Sequence, residues 1–384
     1  MLFRRHLVES IVLAGALTAC GGSDGSADPA PNDTGAASID TTTSDDSSGA
    51  TDTSSSDSFG ASDSSVAFDS SPDTAETGAA TDYAAVGPFA VVKGDGTVSG
   101  RAVHWFAPAG AAPADGFSAV VFAHGFLLKP TDYDEVLSHV ASWGFVVVST
   151  DFPGSLFSID HRDVAKALIA ARASLLDGTL ASVPKVASKR VAASGHSLGG
   201  KGAVMAALAE PAFAAVLALD PVDGNPGNPL GGGPDAAHPA LIPSETAKLV
   251  VPVGYFGATQ SHCVKPPAFP GAPASACAPE KLDAAAFFAG TPSTTTRYLW
   301  TAFDFGHMQF LDNPKCGTAC DACVAGKSSG TAQRTAIAAI STAFLKRRLD
   351  GDASAETWLS GAKRDVAIAA GALWDGIAPR PACP

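Results

Sequence analysis

The chain is 384 residues long, 46% of them hydrophobic, with a formal net charge of −13. Residues 1–20 carry +1 and residues 21–82 carry −13, which leaves residues 83–384 at −1. A near-neutral body without a basic tract gives no electrostatic case for nucleic acid, and the acidity of the chain belongs to residues 21–82.

Residues 1–20 read as a secretory signal: Arg4, Arg5 and His6 precede a short apolar run over 11–17 and then small residues. The run is far short of the ~20 residues that span a bilayer. Leu17-Thr18-Ala19-Cys20 resembles a bacterial lipobox. That resemblance implies lipid on Cys20, export across the inner membrane, and anchoring in the cell envelope (outer membrane or cell surface) through lipid alone. Residues 21–82 hold 13 acidic residues and no Lys or Arg, in a background of Ser, Thr, Gly and Ala. Nothing there can build a core, so a disordered tether reaching about 45 Å is expected.

Residues 83–384 are large enough for one α/β domain. Strand-like runs at 118–122, 145–150 and 191–194 alternate with helix-like runs at 133–142, 163–176 and 201–208. Further strands are expected at 213–219, 248–255 and 297–302, and an amphipathic helix at 332–347. The Pro- and Gly-rich stretches 222–243 and 264–278 read as loops. Continuous apolar strands separated by helices predict an α/β architecture, a mostly parallel central sheet with helices on both faces. Ligands of such sheets sit beyond the carboxyl ends of the strands.

One motif falls at such an end. Gly195-His196-Ser197-Leu198-Gly199 follows the strand at 191–194 and precedes an Ala-rich helix, the setting of a nucleophile elbow. A serine needs a base, and the base needs an orienting acid. Of nine histidines, His238, His262 and His307 follow Ser197, and only His307 comes directly after the last strand. Asp220 ends the strand at 213–219 and is the first choice of acid, with Asp223 the alternative; Asp304 reads as a loop brace. Oxyanion donors are expected from the backbone N–H of Leu198 and of Phe126, the latter in the loop after an early strand. Phe126, Leu127, Leu128, Phe152 and Phe157 suggest an apolar mouth. Neither a metal nor an organic cofactor is called for, calcium at Asp220–Asn228 being disfavoured by the ligand spacing.

Setting Cys20 aside, six cysteines remain, an even number suited to disulfides in an oxidising compartment. Cys263 with Cys277 is the simplest pairing, and a zinc site of Cys316, Cys320, Cys323 and His262 is disfavoured by irregular spacing.

Four segments together resemble chlorophyllase: Phe122-Ala123-His124-Gly125-Phe126, Gly195-His196-Ser197-Leu198-Gly199-Gly200-Lys201, Leu219-Asp220-Pro221-Val222-Asp223-Gly224, and Asp304-Phe305-Gly306-His307. The resemblance runs from about residue 87 to about 348 and implies the α/β-hydrolase fold and cleavage of the phytyl ester of chlorophyll. By the same resemblance, the triad is Ser197, an aspartate of 220–224, and His307. Leu198 departs from the family, whose plant members often carry arginine there. The placing of the acid is also similar to that of platelet-activating-factor acetylhydrolases, with cutinase-like polyester hydrolases in the wider neighbourhood. The expectation is a serine carboxylic-ester hydrolase acting on an apolar ester. A polyester or lipid esterase, an acyltransferase on the same triad, and a non-catalytic envelope lipoprotein are the alternatives.

Overall fold

The computed structural model describes residues 81–152, 159–224, 234–266 and 274–384. The signal segment, Cys20, most of the tether, Phe157, Asn225 and Asn228 lie outside the described residues. Among the described residues, no helix is long and apolar enough to cross a membrane.

Ten strands form in chain order: β1 (Val91–Val98), β2 (Arg101–Pro108), β3 (Phe117–Ala123), β4 (Phe145–Thr150), β5 (Val186–His196), β6 (Ala215–Leu219), β7 (Val253–Ala258), the short β8 (Val264–Lys265) and β9 (Ser275–Ala276), and β10 (Arg297–Ala302). Eight of them make one sheet in the order β1-β2-β4-β3-β5-β6-β7-β10. β1 and β2 pair antiparallel at one edge, β2 joins β4 antiparallel, and every pairing beyond is parallel. Every residue of β3, β4, β6 and β7 is buried, because helices cover both faces.

One face packs on α1 (Asp134–Ser142) and α6 (Thr331–Leu345), where Phe122, Val147 and Leu217 meet Leu137, Ile340 and Phe344. The other face packs on α2 (His161–Asp177), α3 (Leu198–Ala209) and α4 (Ala284–Gly290), where Val121 and Val148 meet Val164, Ala203 and Phe287. The three layers are those the alternating pattern predicted, and they are the layers of the α/β-hydrolase fold that the resemblance implies. Short helices α5 (Thr318–Asp321), α7 (Glu356–Leu359) and α8 (Ala362–Ala369) complete the order.

The structure adds elements the pattern did not predict: the β1–β2 hairpin, α4, the terminal helices and the β8–β9 pair inside the expected loop 264–278. It also corrects the cysteine pairing. Cys263 joins Cys383, Cys277 joins Cys323, and Cys316 joins Cys320.

α4 carries a pH-dependent element at its start. Asp283 caps the helix by accepting from Ala286 N–H at 3.0 Å, with Arg380 Nη2 at 3.6 Å from its other oxygen. Burial lifts its carboxyl from 3.8 to about 6, Asp220 adding to the rise while the Ala286 N–H opposes it. The folded state therefore holds a proton that the unfolded chain releases, and stability drops as pH rises from about 4 to about 6. Asp283→Asn keeps the cap and removes the titration. Its melting temperature is expected to match the wild type near pH 4 and exceed it at pH 7, by at most about 3 kcal/mol of stability. Thermal unfolding of both proteins across that range checks this; equal curves at pH 7 would show the expected penalty to be absent.

Candidate active site

Ala123, Gly195, Ala218 and Tyr255 lie side by side in register, so the loops leaving β3, β5, β6 and β7 start from nearly one line. β5 runs through His196 straight into Ser197, whose backbone sits at φ 57° and ψ −120°, a region that L-residues seldom adopt. The turn is held closed by contact. A Cβ at Gly199 would stand 2.0 Å from the Ala123 carbonyl oxygen, and one at Gly195 would stand 2.4 Å from the Gly199 carbonyl carbon. Ser197 N–H donates to the Leu219 carbonyl at 2.9 Å, tying the turn to the neighbouring strand.

His307 opens a single 3-10 turn, His307–Phe310, shortly after β10. Its Nε2 lies 2.9 Å from Ser197 Oγ, and its Nδ1 lies 2.8 Å from Asp220 Oδ2. A carboxylate accepts, so Nδ1 carries the hydrogen and Nε2 is left to take the serine proton. Asp220 and His307 are both buried, and Asp220 stands at φ 42° just past β6, its N–H given to the Phe256 carbonyl at 2.7 Å. Ser261, after β7, donates its hydroxyl to the same Asp220 oxygen. Of the sequence-predicted residues, Ser197, Asp220 and His307 are thus brought together.

Asp223 is not brought to His307. Its Oδ1 pairs with the fully buried Lys201 Nζ at 2.9 Å, and its Oδ2 accepts from Leu241 N–H and Ile242 N–H. The role left open for it as the acid gives way to that of a buried anchor between α3 and the segment at 241–242. Asp304 accepts from Lys327 N–H at 3.1 Å, as a loop brace does.

The two segments expected to supply oxyanion donors pass beside the serine. Leu198 N–H is the first of α3 and has no acceptor within the helix. The loop after β3 crosses close by, for a Cβ on Gly125 would lie 3.2 Å from Ser197 Cβ. Its shape is held from both sides: Leu128 N–H and His124 Nδ1 both donate to the Gly125 carbonyl. The His124 ring stacks on Phe152 at 4.2 Å and meets Asp151 at 3.0 Å, a hydrogen bond that holds the Asp151 carboxyl below its usual range. Leu127 is half exposed at φ 61° next to the half-buried Phe126, an apolar rim to the site.

The chlorophyllase family model matches residues 101–367, most of the folded portion. The chain belongs to the chlorophyllase family. Chlorophyllase-1 of Arabidopsis thaliana is 28% identical over 284 residues, covering 69% of this chain and 81% of the relative. Chlorophyllase-1, chloroplastic, of Citrus unshiu is 28% identical over 248 residues, covering 62% and 70%. A bis(hydroxyethyl) terephthalate hydrolase of Streptomyces coelicolor is 27% identical over 278 residues, covering 71% of each chain. As a member of the chlorophyllase family, the chain is an ester hydrolase of the α/β-hydrolase type.

Within this family site, three participants escaped sequence reasoning. Ser261 sits in a turn with no motif around it, and only the strand order brings it to Asp220. Lys201 reads as an ordinary helix residue, although a lysine amid Gly and Ala on a helix packed against α2 was a signal that its charge had to be matched. His196 reads as the filler of the elbow, yet it is fully buried between Tyr133 and the His307 backbone. Among the described residues, His262, Cys263 and Cys383 bring possible metal-ligating atoms within 4.8 Å. Their two sulfurs are bonded to each other, and the disulfides Cys316–Cys320 and Cys277–Cys323 likewise occupy the other thiols considered for zinc.

Proposed function

We propose that the chain is a serine carboxylic-ester hydrolase that works through an acyl-enzyme on an apolar ester. The observation that carries this reading is the unbroken hydrogen-bonded series Ser197–His307–Asp220 on a strained elbow. Ser197 Oγ attacks the ester carbonyl while its proton passes to His307 Nε2, and Asp220 holds the resulting imidazolium in place. The N–H groups of Leu198 and Phe126 receive the oxyanion. His307 then protonates the departing alkoxide. Water attacks the acyl-Ser197 with His307 again as base, which releases the acid and restores the serine. The chemistry needs neither metal nor cofactor.

The substrate class follows from the rim and the relatives. Phe126 and Leu127 suit an apolar group, the phytyl ester is the family's own substrate type, and the relative named for bis(hydroxyethyl) terephthalate favours an aromatic ester as the second reading. The resemblance of Leu17-Thr18-Ala19-Cys20 to a lipobox supports an enzyme exported and lipid-anchored in the bacterial envelope, meeting the membrane through that anchor alone.

Hydrolysis of p-nitrophenyl esters from acetyl to palmitoyl, of bis(hydroxyethyl) terephthalate and of chlorophyll tests the reading. A fluorophosphonate is expected to inactivate the protein with one label per chain, mapped to Ser197. No turnover together with no label would sink the hydrolase in favour of a non-catalytic lipoprotein. Transesterified product raised by added alcohol would favour an acyltransferase on the same residues.

A further inference from the structure

The three loops that meet at Ser197 are joined by a run of hydrogen bonds that the acyl-transfer steps do not use. Gly125 N–H donates to the Tyr133 hydroxyl oxygen at 3.1 Å, that oxygen lies 2.8 Å from His196 Nδ1, and His196 Nε2 lies 3.0 Å from the His307 carbonyl oxygen. A carbonyl only accepts, so Nε2 carries the imidazole hydrogen. In a neutral ring Nδ1 then accepts, and the Tyr133 O–H must donate to it. The direction of the run is therefore fixed, from the oxyanion loop through the elbow to the backbone of the base.

Both middle members are fully buried, Tyr133 and His196 each 0% exposed. Burial, with His307 next, pushes His196 well below the usual histidine range, and burial pushes Tyr133 up, so both stay neutral. The His196 ring is also wedged, 4.7 Å from the His307 ring and 5.4 Å from Phe310. Asp220 grips the His307 side chain, and His196, the residue just before the serine, grips the same residue's main chain. Serine and base are thereby spaced by a single neighbouring side chain, and Gly125, just before the Phe126 donor, is referenced to it through Tyr133.

We propose that Tyr133 and His196 are positioning residues that hold the oxyanion loop and the base loop in register with Ser197. The proposal rests on the reading of Ser197 and His307 as nucleophile and base. It assigns to the variable position of the elbow a spacing task that an apolar residue of equal size could not perform.

The test compares kcat and KM for p-nitrophenyl butyrate among full-length wild type, Tyr133→Phe, His196→Leu, His196→Gln and Ser197→Ala, with melting temperature taken on each. Tyr133→Phe and His196→Leu are expected to lower kcat by about 10- to 100-fold with KM within about threefold, the signature of misplaced groups in a folded site. His196→Gln, which keeps a donor and an acceptor, is expected to recover part of the loss. A folded Tyr133→Phe protein within about threefold of wild-type kcat would overturn the proposal, as would a Gln variant no better than Leu. If His196→Leu does not fold, Tyr133→Phe decides alone, since it removes only a hydroxyl. Wild-type rates in Ser197→Ala would overturn the triad reading and this proposal with it. Loss in Ser197→Ala beside full activity in the other variants would overturn this proposal alone.

Discussion

Ser197→Ala is expected to lower kcat for a p-nitrophenyl ester by at least about 10⁴, leaving only the slow attack of water in a site that still binds the ester. The reason is local. His307 Nε2 meets the Ser197 hydroxyl 2.9 Å away, and the replacement removes that hydroxyl without touching the His307–Asp220 bond or the Ser197 N–H bond to Leu219. KM should therefore move little. Stability supplies an independent check. Residue 197 stands at φ 57°, where any Cβ costs about 1–3 kcal/mol, so Ser197→Ala keeps the strain. Ser197→Gly relieves it and is expected to melt higher than the wild type while being equally inactive. A Gly variant that melts lower, or an Ala variant that retains turnover, would mean that the turn is not held as described.

The parts of this arrangement that were legible in the chain are those written in contiguous residues. The runs at 118–122 and 145–150 are mostly apolar, and they become β3 and β4, each covered on both faces. The elbow is legible because the close approach of Ala123 to Gly199 excludes side chains there, which leaves a mark in the residue types. What was not legible depends on partners far along the chain. β1 reads poorly as a strand because Gly94 and Gly96 interrupt it, and Gly94 makes sense only once the Trp105 ring of the paired strand lies 2.6 Å from where its Cβ would be. Cys263 finds its partner 120 residues away, so nearness in sequence misled the pairing with Cys277. The choice between Asp220 and Asp223 likewise turned on Lys201, a residue of a different element that claims Asp223 for itself.

That division between the two aspartates predicts opposite phenotypes. Asp220→Asn is expected to lower kcat by about 10³- to 10⁴-fold with little change in KM. An amide at this place either points its NH₂ at His307 Nδ1, forcing the hydrogen onto Nε2 where it faces Ser197 as a donor, or points its oxygen and offers no charge to the imidazolium. Ser261 does not decide between these, because its hydroxyl can give to an oxygen or accept from a nitrogen. Fold stability should fall only modestly, since the amide keeps the shape and partners of the carboxylate. Asp223→Asn acts elsewhere. It leaves Lys201, which is 0% exposed, without its counter-charge, and removing one partner of such a buried pair costs about 3–5 kcal/mol. Lys201 is already drawn below its usual range by burial, with Asp223 as the main restoring influence, so the variant escapes part of that cost by shedding its proton. The expected result is a protein that melts much lower, and more so as pH falls and Lys201 is forced to charge, yet turns over ester within about tenfold of wild type where it remains folded. Melting and kcat measured on both variants separate the roles: an Asp223→Asn enzyme that is folded but dead, beside an active Asp220→Asn enzyme, would move the acid from the first aspartate to the second.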